Sequence, residues 1–454
     1  MKNKIRILCL LLTLLMVLPM AFGCFGNKQE GGDESQNNGE TSNSLIDATP
    51  LVSLTINGTS LADYTIVYSG KSKIGGEKAA AYLNEKLSSL YATTLPTEKK
   101  SQKDRYEIVL GLDGDDAAIK EAYAQNPDGI IGVSGTRVIL LGENYGAISQ
   151  LIDAFLAKAT GDGSNMSISV SAIEVPELST LSIKVMSYNV LYDLSKPGRP
   201  ADAREQMVAT ILENDIDVFG TQEDGPENEA AFLQLLGGAY SSYTGVSDDR
   251  DKENYIYWKT EKFDLVKSGA FYLHDAYGTR KKYEDSTQYR SMSYVILKDK
   301  VTSKQFLFVD THLDYQASEA TRTKQINVLG NLIEKINKNN LPVVILGDFN
   351  TISTSNSGAI PKFLSNYPSY ALTLNSAKTK GDVGETLISQ EDFSTRYLGA
   401  YDYIFVSVDN VVTEYFTVVD NYKEVEVTDE FGEVKTVKKY PSDHLSVMAE
   451  IKLY

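Results

Sequence analysis

Cysteine is almost absent from this sequence: there are two among 454 residues, Cys9 and Cys24, both near the N-terminus. The chain beyond residue 24 therefore has no intramolecular disulfide, no thiolate metal site and no cysteine nucleophile. Histidine is also scarce, and occurs only as His274, His312 and His444. Tyrosine, by contrast, occurs 28 times and supplies amphipathic side chains suited to surfaces and clefts.

Positive charge is in deficit as well. The 61 acidic residues outnumber the 44 Lys and Arg residues, which gives a formal net charge of −17. An acidic surface disfavours non-specific binding of nucleic acids, and it suits a metal-dependent site where a cation reverses the local field. The length predicts two or three domains.

The N-terminus has the pattern of a targeting segment. A basic start precedes an apolar run from Ile7 to Met20, which is followed by Ala-Phe-Gly and Cys24. This resembles the lipobox of bacterial lipoproteins. The resemblance implies a signal peptide at residues 1–23, lipidation of Cys24 and a location at the extracellular face of the bacterial cell membrane. An ordinary secretory signal is the alternative. Residues 24–44 are rich in Gly, Ser, Asn and Glu and predict a flexible tether.

Residues 45–178 predict a small α+β domain of short strands and two amphipathic helices. The Asn57-Gly58 pair predicts a hairpin between strands at 51–56 and 64–68. Three short stretches resemble strands in the N-terminal accessory domain of α-glucuronidase and hexosaminidase-type glycoside hydrolases, at 108–111, 128–131 and 139–143. The two interpretations are a spacer domain and a contact to a cell-surface glycan.

Residues 179–454 contain longer apolar strands with polar side chains at their ends. These strand-end residues are Asn189, Glu223, His312, Asp348 with Asn350, Asp402, and the pair Asp443 and His444. Polar groups gathered at strand ends over a layered core are typical of a catalytic α/β sandwich. Each also has a structural alternative: Asn189 as a turn cap, Glu223 as a solvated exit residue, Asp348 and Asn350 as an Asx turn, and Asp443 with His444 as a strand cap.

Taken together, these stretches resemble the endonuclease/exonuclease/phosphatase family from about Leu181 to Leu453. The matching segments are 187–189, 221–223, 311–314, 347–350, 402–407 and 442–444. The resemblance implies a four-layer α/β/β/α sandwich and metal-dependent hydrolysis of a phosphodiester or phosphomonoester.

The resemblance and the ligand chemistry imply a Mg²⁺ or Mn²⁺ site. Carboxylate and amide oxygens without thiols suit these ions better than zinc. Glu223 and Asn189 are the expected ligands, and Asp443 completes the site directly or through water.

The remaining polar residues are expected to perform the hydrolysis. His444 is the expected general base, with Asp402 holding its other ring nitrogen. Asp348 and Asn350 orient the attacking water, and His312 donates to a phosphoryl oxygen or to the leaving group.

Two further features are more open. Arg290 is a candidate contact to substrate phosphate, and the alternative is a role outside substrate binding. Residues 421–439 alternate in polarity and predict a hairpin that leads into Asp443 and His444. We hypothesise that this hairpin borders the cleft and influences which substrates enter.

The substrate stays open between a nucleic acid, a phospholipid head group and a small phosphate ester. The main alternative function is a glycan- or cell-wall-associated surface protein in which the phosphoesterase-like domain only binds. A glycosidase would need paired carboxylates flanking a sugar, whereas this sequence offers a metal and histidine set.

Overall fold

The computed structural model describes residues 52–71, 74–102, 104–112, 116–246, 248–354, 358–397, 399–428 and 431–454. The predicted signal peptide, Cys24 and the tether lie outside these residues. Residues Pro50–Tyr454 form one compact unit, so the domain boundary between 178 and 179 stays a prediction. In the described parts of the chain, every helix is too short or too polar to cross a bilayer.

Residues 52–178 fold around a five-stranded sheet with helices on both faces. In spatial order its strands are Thr97–Glu98, Thr65–Tyr68, Glu107–Leu110, Arg137–Gly142 and Gly129–Ser134. Helices Gly76–Tyr91 and Tyr145–Leu156 pack on one face, and Ala117–Gln125 packs on the other. A small sheet beside it contains Thr59–Ser60, Ser53–Ile56, Asn165–Ile168 and Thr160–Gly161.

The hairpin expected at Asn57-Gly58 is wrong in its second strand. The turn is present, but it joins Ser53–Ile56 to Thr59–Ser60 in the small sheet. Thr65–Tyr68 instead lies inside the five-stranded sheet, parallel to both of its neighbours. All four of its residues are buried, as expected of a strand covered on both faces.

Residues 181–454 form two large sheets. Sheet I has seven strands in the spatial order Tyr240–Tyr243, Tyr255–Lys259, Val218–Gln222, Leu181–Asn189, Ser446–Leu453, Val411–Val419 and Thr379–Lys380. Sheet II has six strands in the order Phe263–Tyr272, Ser291–Asp299, Gln305–His312, Val343–Asp348, Asp402–Ser407 and Tyr370–Leu372. Short two-stranded ladders pair Leu387–Ile388 with Arg396–Tyr397 and Lys423–Thr428 with Val434–Lys439.

Sheets I and II pack face to face, with a layer of helices outside each. Val185, Phe308 and Val344 belong to the apolar core between the two sheets. Helices Ala203–Glu213 and Pro226–Leu235 cover the outer face of sheet I, and Glu319–Ile336 and Ala359–Asn366 cover that of sheet II. A short helical turn, Thr373–Ser376, follows the last strand of sheet II. The predicted α/β/β/α sandwich is confirmed.

Two elements of the sandwich were not predicted from the sequence. Strand Phe263–Tyr272 forms the edge of sheet II, and most of its side chains are exposed or half-buried, so its pattern does not alternate. Helix Pro226–Leu235 has only two buried residues, although Pro226 at its start and two acids in its first turn are recognisable start signals.

Residues 52–178 contact the edge of the sandwich opposite the predicted site. Strand Leu181–Asn189 pairs with Ser446–Leu453 so that Leu181 lies opposite Leu453, while Asn189 lies at the far end. Tyr454, directly after Leu453, donates from its hydroxyl to Asp128 at 2.8 Å. The accessory region thus supports the sandwich from the end that carries none of the predicted catalytic residues.

Gly347 directly precedes Asp348, so a substitution of this glycine tests the strand packing that positions Asp348. Its φ is +151°, and a Cβ there would lie 1.9 Å from the carbonyl oxygen of Thr311 on the adjacent strand. Because the obstacle is backbone, we expect Gly347→Ala to destabilise the protein by about 3 kcal/mol. Urea unfolding measures the effect. The matched control is Gly278→Ala, where a Cβ meets nothing within 4 Å, and an equal loss in both variants would contradict the packing argument.

Candidate active site

Strand ends from both sheets bring the predicted residues to one edge of the sandwich. In sheet II, His312 lies opposite Asp348, and Asp348 lies opposite Asp402. In sheet I, Asn189 lies opposite Gln222, and Glu223 follows directly. The register alone therefore places these polar side chains side by side.

His444 and Asp402 form a buried hydrogen-bonded pair. The Nδ1 atom of His444 lies 2.8 Å from Oδ2 of Asp402, and the two residues are 7% and 1% exposed. Burial opposes the imidazolium, but Asp402 and Asp348 outweigh it and raise the pKa of His444 well above its usual value. The pair has the geometry of an imidazole oriented by a carboxylate.

Asp348 lies between both histidines of the site. Its Oδ2 atom is 3.7 Å from Nε2 of His444 and 3.5 Å from Nε2 of His312, and it accepts from the Asn189 amide at 3.1 Å. Its other oxygen accepts from the backbone N–H of Asn350 at 2.8 Å. The Asx turn that was the structural alternative is therefore present, and the same side chain also faces the cleft.

The Nδ1 atom of His312 contacts an ion pair between buried Arg290 and half-buried Glu253. Nη1 of Arg290 lies 2.8 Å from Nδ1 of His312 and 2.5 Å from Glu253. Burial opposes ionisation of Glu253, but Arg290 and His312 outweigh it and lower its pKa to about 2. The other ring nitrogen, Nε2, lies 3.0 Å from the side-chain nitrogen of Asn350 and 3.5 Å from Oδ2 of Asp348, so the ring is held from both sides.

Arg290 thus has a role that the sequence did not suggest. It is 5% exposed, and its Nη1 atom donates to Glu253 and His312. A direct contact between Arg290 and substrate phosphate stays a prediction. Glu253 itself was missed by sequence reasoning, because it precedes a strand and matches no motif.

Glu223 has a strained backbone at the mouth of the cleft. Its φ is +54°, in the left-handed region that side chains other than glycine rarely adopt. Its Oε1 atom accepts from the Asn189 amide at 3.2 Å. Strain of this kind persists where the surroundings over-determine a functional geometry.

Asp443 directly precedes His444 and lines the same cavity as Glu223. It is 5% exposed, and its carboxylate accepts from the Gln390 amide. The neighbouring Ser442 donates to the carbonyl of Asn189 at 2.7 Å, which ties the two segments together. Gln390 is a further contact that no sequence pattern indicated.

The oxygen donors fit a hard divalent cation. Glu223 and Asp443 offer carboxylates, and the side-chain oxygen of Asn189 accepts a backbone bond at 3.1 Å and keeps a second lone pair. Ligand atoms of Asp348, Asp402 and His444 also lie within 4.8 Å of one another. Asp402 and His444 are already hydrogen-bonded to each other, and Glu223, Asn189 and Asp443 stay the predicted ligands.

Two adjoining cavities open at this edge. The larger, of about 730 Å³, is lined by Glu223, His312, Asp348, Asp443 and His444 among others. The smaller, of about 410 Å³, contains Arg290 and shares Glu223 with it. The hairpin Lys423–Thr428 and Val434–Lys439 is present, but neither cavity is lined by its described residues, so its role in substrate access stays a prediction.

A comparison with protein-family models identifies the fold that carries this site. The model described as the endonuclease/exonuclease/phosphatase family matches residues 186–444, more than half of the chain. The chain belongs to this family. Members are generally hydrolases of phosphate esters and typically use a divalent metal ion.

Solved structures show the same fold. A family protein from Bacteroides thetaiotaomicron is 22% identical with a TM-score of 0.52, and covers 61% of this chain and 99% of its own. A mannosyl-6-phosphatase from the same species is 22% identical with a TM-score of 0.50, and covers 59% and 99%. No curated protein sequence matches the chain significantly.

The strain at Glu223 predicts a difference between two substitutions. Both Glu223→Ala and Glu223→Gly remove the carboxylate, but only glycine adopts a positive φ without cost. We expect the glycine variant to be more stable than the alanine variant by about 1 kcal/mol. Parallel denaturant titrations measure this, and a more stable alanine variant would argue against the strained backbone.

Proposed function

We propose that this protein is a metal-dependent phosphoesterase in which His444 is the general base. The observation that carries the proposal is the 2.8 Å contact between His444 and buried Asp402, beside Asp348 at the floor of the larger cavity. The substrate is a phosphodiester or a phosphomonoester, and the nucleophile is water.

His444 takes the proton from the attacking water through Nε2, since Nδ1 is engaged by Asp402. The carboxylates of Asp402 and Asp348 stabilise the imidazolium that results. Asp348, held by Asn189 and Asn350, orients the water. His312 donates to a phosphoryl oxygen or to the leaving group.

Glu223, Asn189 and Asp443 are the residues proposed to hold Mg²⁺ or Mn²⁺. A divalent cation bound there neutralises negative charge on the phosphoryl oxygens. Arg290, which is paired with Glu253, contacts Nδ1 of His312 and orients its ring.

A binding function without catalysis is the alternative. A site that has lost its activity would not need the complete set of base, orienting carboxylate and oxygen ligands. Anchoring through Cys24 at the outer membrane face, and a glycan contact through the accessory region, stay predictions.

The roles of His444 and Asp402 are tested by substitution. We expect His444→Ala to lower kcat by about 10³-fold or more, and Asp402→Asn to lower it by a similar order, because each removes the oriented base. Initial rates on simple phosphate mono- and diesters with Mg²⁺ or Mn²⁺ measure this. His274→Ala is the matched control, since His274 lines neither cavity. Near-normal turnover of His444→Ala would refute the assignment.

The metal ligands are tested without turnover. We expect Glu223→Gln to weaken Mn²⁺ binding by about tenfold or more, since it replaces a charged ligand by a neutral one of the same shape. Calorimetric titration of purified protein measures the affinity. The control is Glu391→Gln, which changes a carboxylate that lines the same cavity and is outside the proposed ligand set. Equal affinity in both variants would place the ion elsewhere.

A further inference from the structure

Two exposed tyrosines flank Glu223 at the mouth of the site. Tyr192 is 69% exposed and Tyr315 is 55% exposed. Both rings line the larger and the smaller cavity, as Glu223 does, so all three lie where the cavities adjoin. The ring of Tyr192 lies over Gly225, where a Cβ would approach it to 3.3 Å.

The backbone around Tyr192 is held by a buried arginine. Arg199 is 9% exposed and donates to the carbonyl oxygens of Val190, Leu191 and Asp193 at 2.7, 2.8 and 3.2 Å. Its Nε atom donates to Pro441 at 2.7 Å. One side chain therefore fixes the residues on both sides of Tyr192 and links them to the segment that carries His444.

The backbone around Tyr315 is held in a similar way. Arg322 donates to the carbonyl oxygens of Asp314, Tyr315 and Ala317 at 3.0, 3.3 and 2.6 Å. The carboxylate of Asp314 accepts from the backbone N–H of Gln316 at 3.0 Å. Since the backbone is already held at both tyrosines, binding a ligand between the rings costs little further backbone entropy.

The charges around the site limit what this ligand can be. The larger cavity is lined by five carboxylate residues, and its basic residues are Lys196 and the two site histidines, His312 and His444. In the smaller cavity Arg250, Lys252 and Arg290 already pair with Asp248, Asp249 and Glu253, respectively. A polyanionic strand needs unpaired cations along its path, so this surface disfavours a nucleic acid chain.

We propose that Tyr192 and Tyr315 form a subsite for a neutral, hydroxyl-rich ring that carries a single phosphoryl group, as in a sugar phosphate. Aromatic faces pack on the apolar face of such a ring, and carboxylate and amide groups nearby accept and donate hydrogen bonds to its hydroxyls. Gln390 and Glu391, which line the same cavity, supply groups of this kind. This inference rests on the proposed phosphoesterase function.

The test compares kcat/KM for glucose 6-phosphate with that for glycerol 3-phosphate, which has no ring. We expect the ratio to fall about tenfold in Tyr192→Ala and in Tyr315→Ala, and to stay within about twofold of wild type in the two Tyr→Phe variants, which keep the aromatic face. The full-length chain is used with Mg²⁺ or Mn²⁺. Tyr106→Ala, which changes a partly exposed tyrosine in the accessory region, should leave the ratio unaltered.

The outcomes separate the subsite from the proposed function. An unchanged ratio in the folded double variant Tyr192→Ala/Tyr315→Ala overturns the subsite while the phosphoesterase stands. If wild type hydrolyses neither these esters nor simple phosphate diesters but binds glucose 6-phosphate with a dependence on both tyrosines, the proposed function fails and the subsite is supported. If it neither hydrolyses nor binds glucose 6-phosphate, the subsite is overturned. A tyrosine-dependent preference for AMP over ribose 5-phosphate, which would show that the rings contact the base, or faster cleavage of an oligonucleotide, would overturn the assignment of a hydroxyl-rich ring.

Discussion

The face-to-face packing of two sheets is the constraint on which the site depends. Phe308, Val344 and Val185 are fully buried between the sheets. A strand that slipped by one residue would turn its core side chains to the opposite face, so the register of each strand is strongly specified. The polar residue at each strand end is therefore placed with the same precision as the apolar residues within the strand.

Negative charge collects at this edge and is only partly balanced by protein cations. Glu253 is paired with Arg290, and Asp402 is paired with His444. Within the described residues, Asp348, Asp443 and Glu223 contact amides or imidazoles and form no ion pair with lysine or arginine. Buried carboxylates are costly unless they are paired or bound to a metal. The site thus has the electrostatic character expected of a cation-binding centre in this family.

Backbone strain and arginine contacts occur together around the cleft. Leu191, Glu223 and Asn350 all have positive φ angles near +50°. Arg199 holds the first of these segments through carbonyl oxygens, and Asn350 is held by its bonds to Asp348 and Leu313. The stability of the layered core offsets such local costs, and the result is a rigid rim around Glu223.

The sequence by itself determined the layers of the fold and predicted Asn189, Glu223, Asp348, Asp402 and His444 as site residues, because apolar periodicity and the polar residue that ends a strand are local features of the chain. It left Asn189 and Asp348 open between structural and catalytic roles, and the structure shows that each accepts a local backbone hydrogen bond while their side chains also bond to each other. Only the tertiary structure decided that Glu253 lies beside His312 and that Tyr192, Glu223 and Tyr315 line the same two cavities. Arg199 and Pro441 are 242 residues apart, and a contact at such a separation leaves no trace in any local pattern.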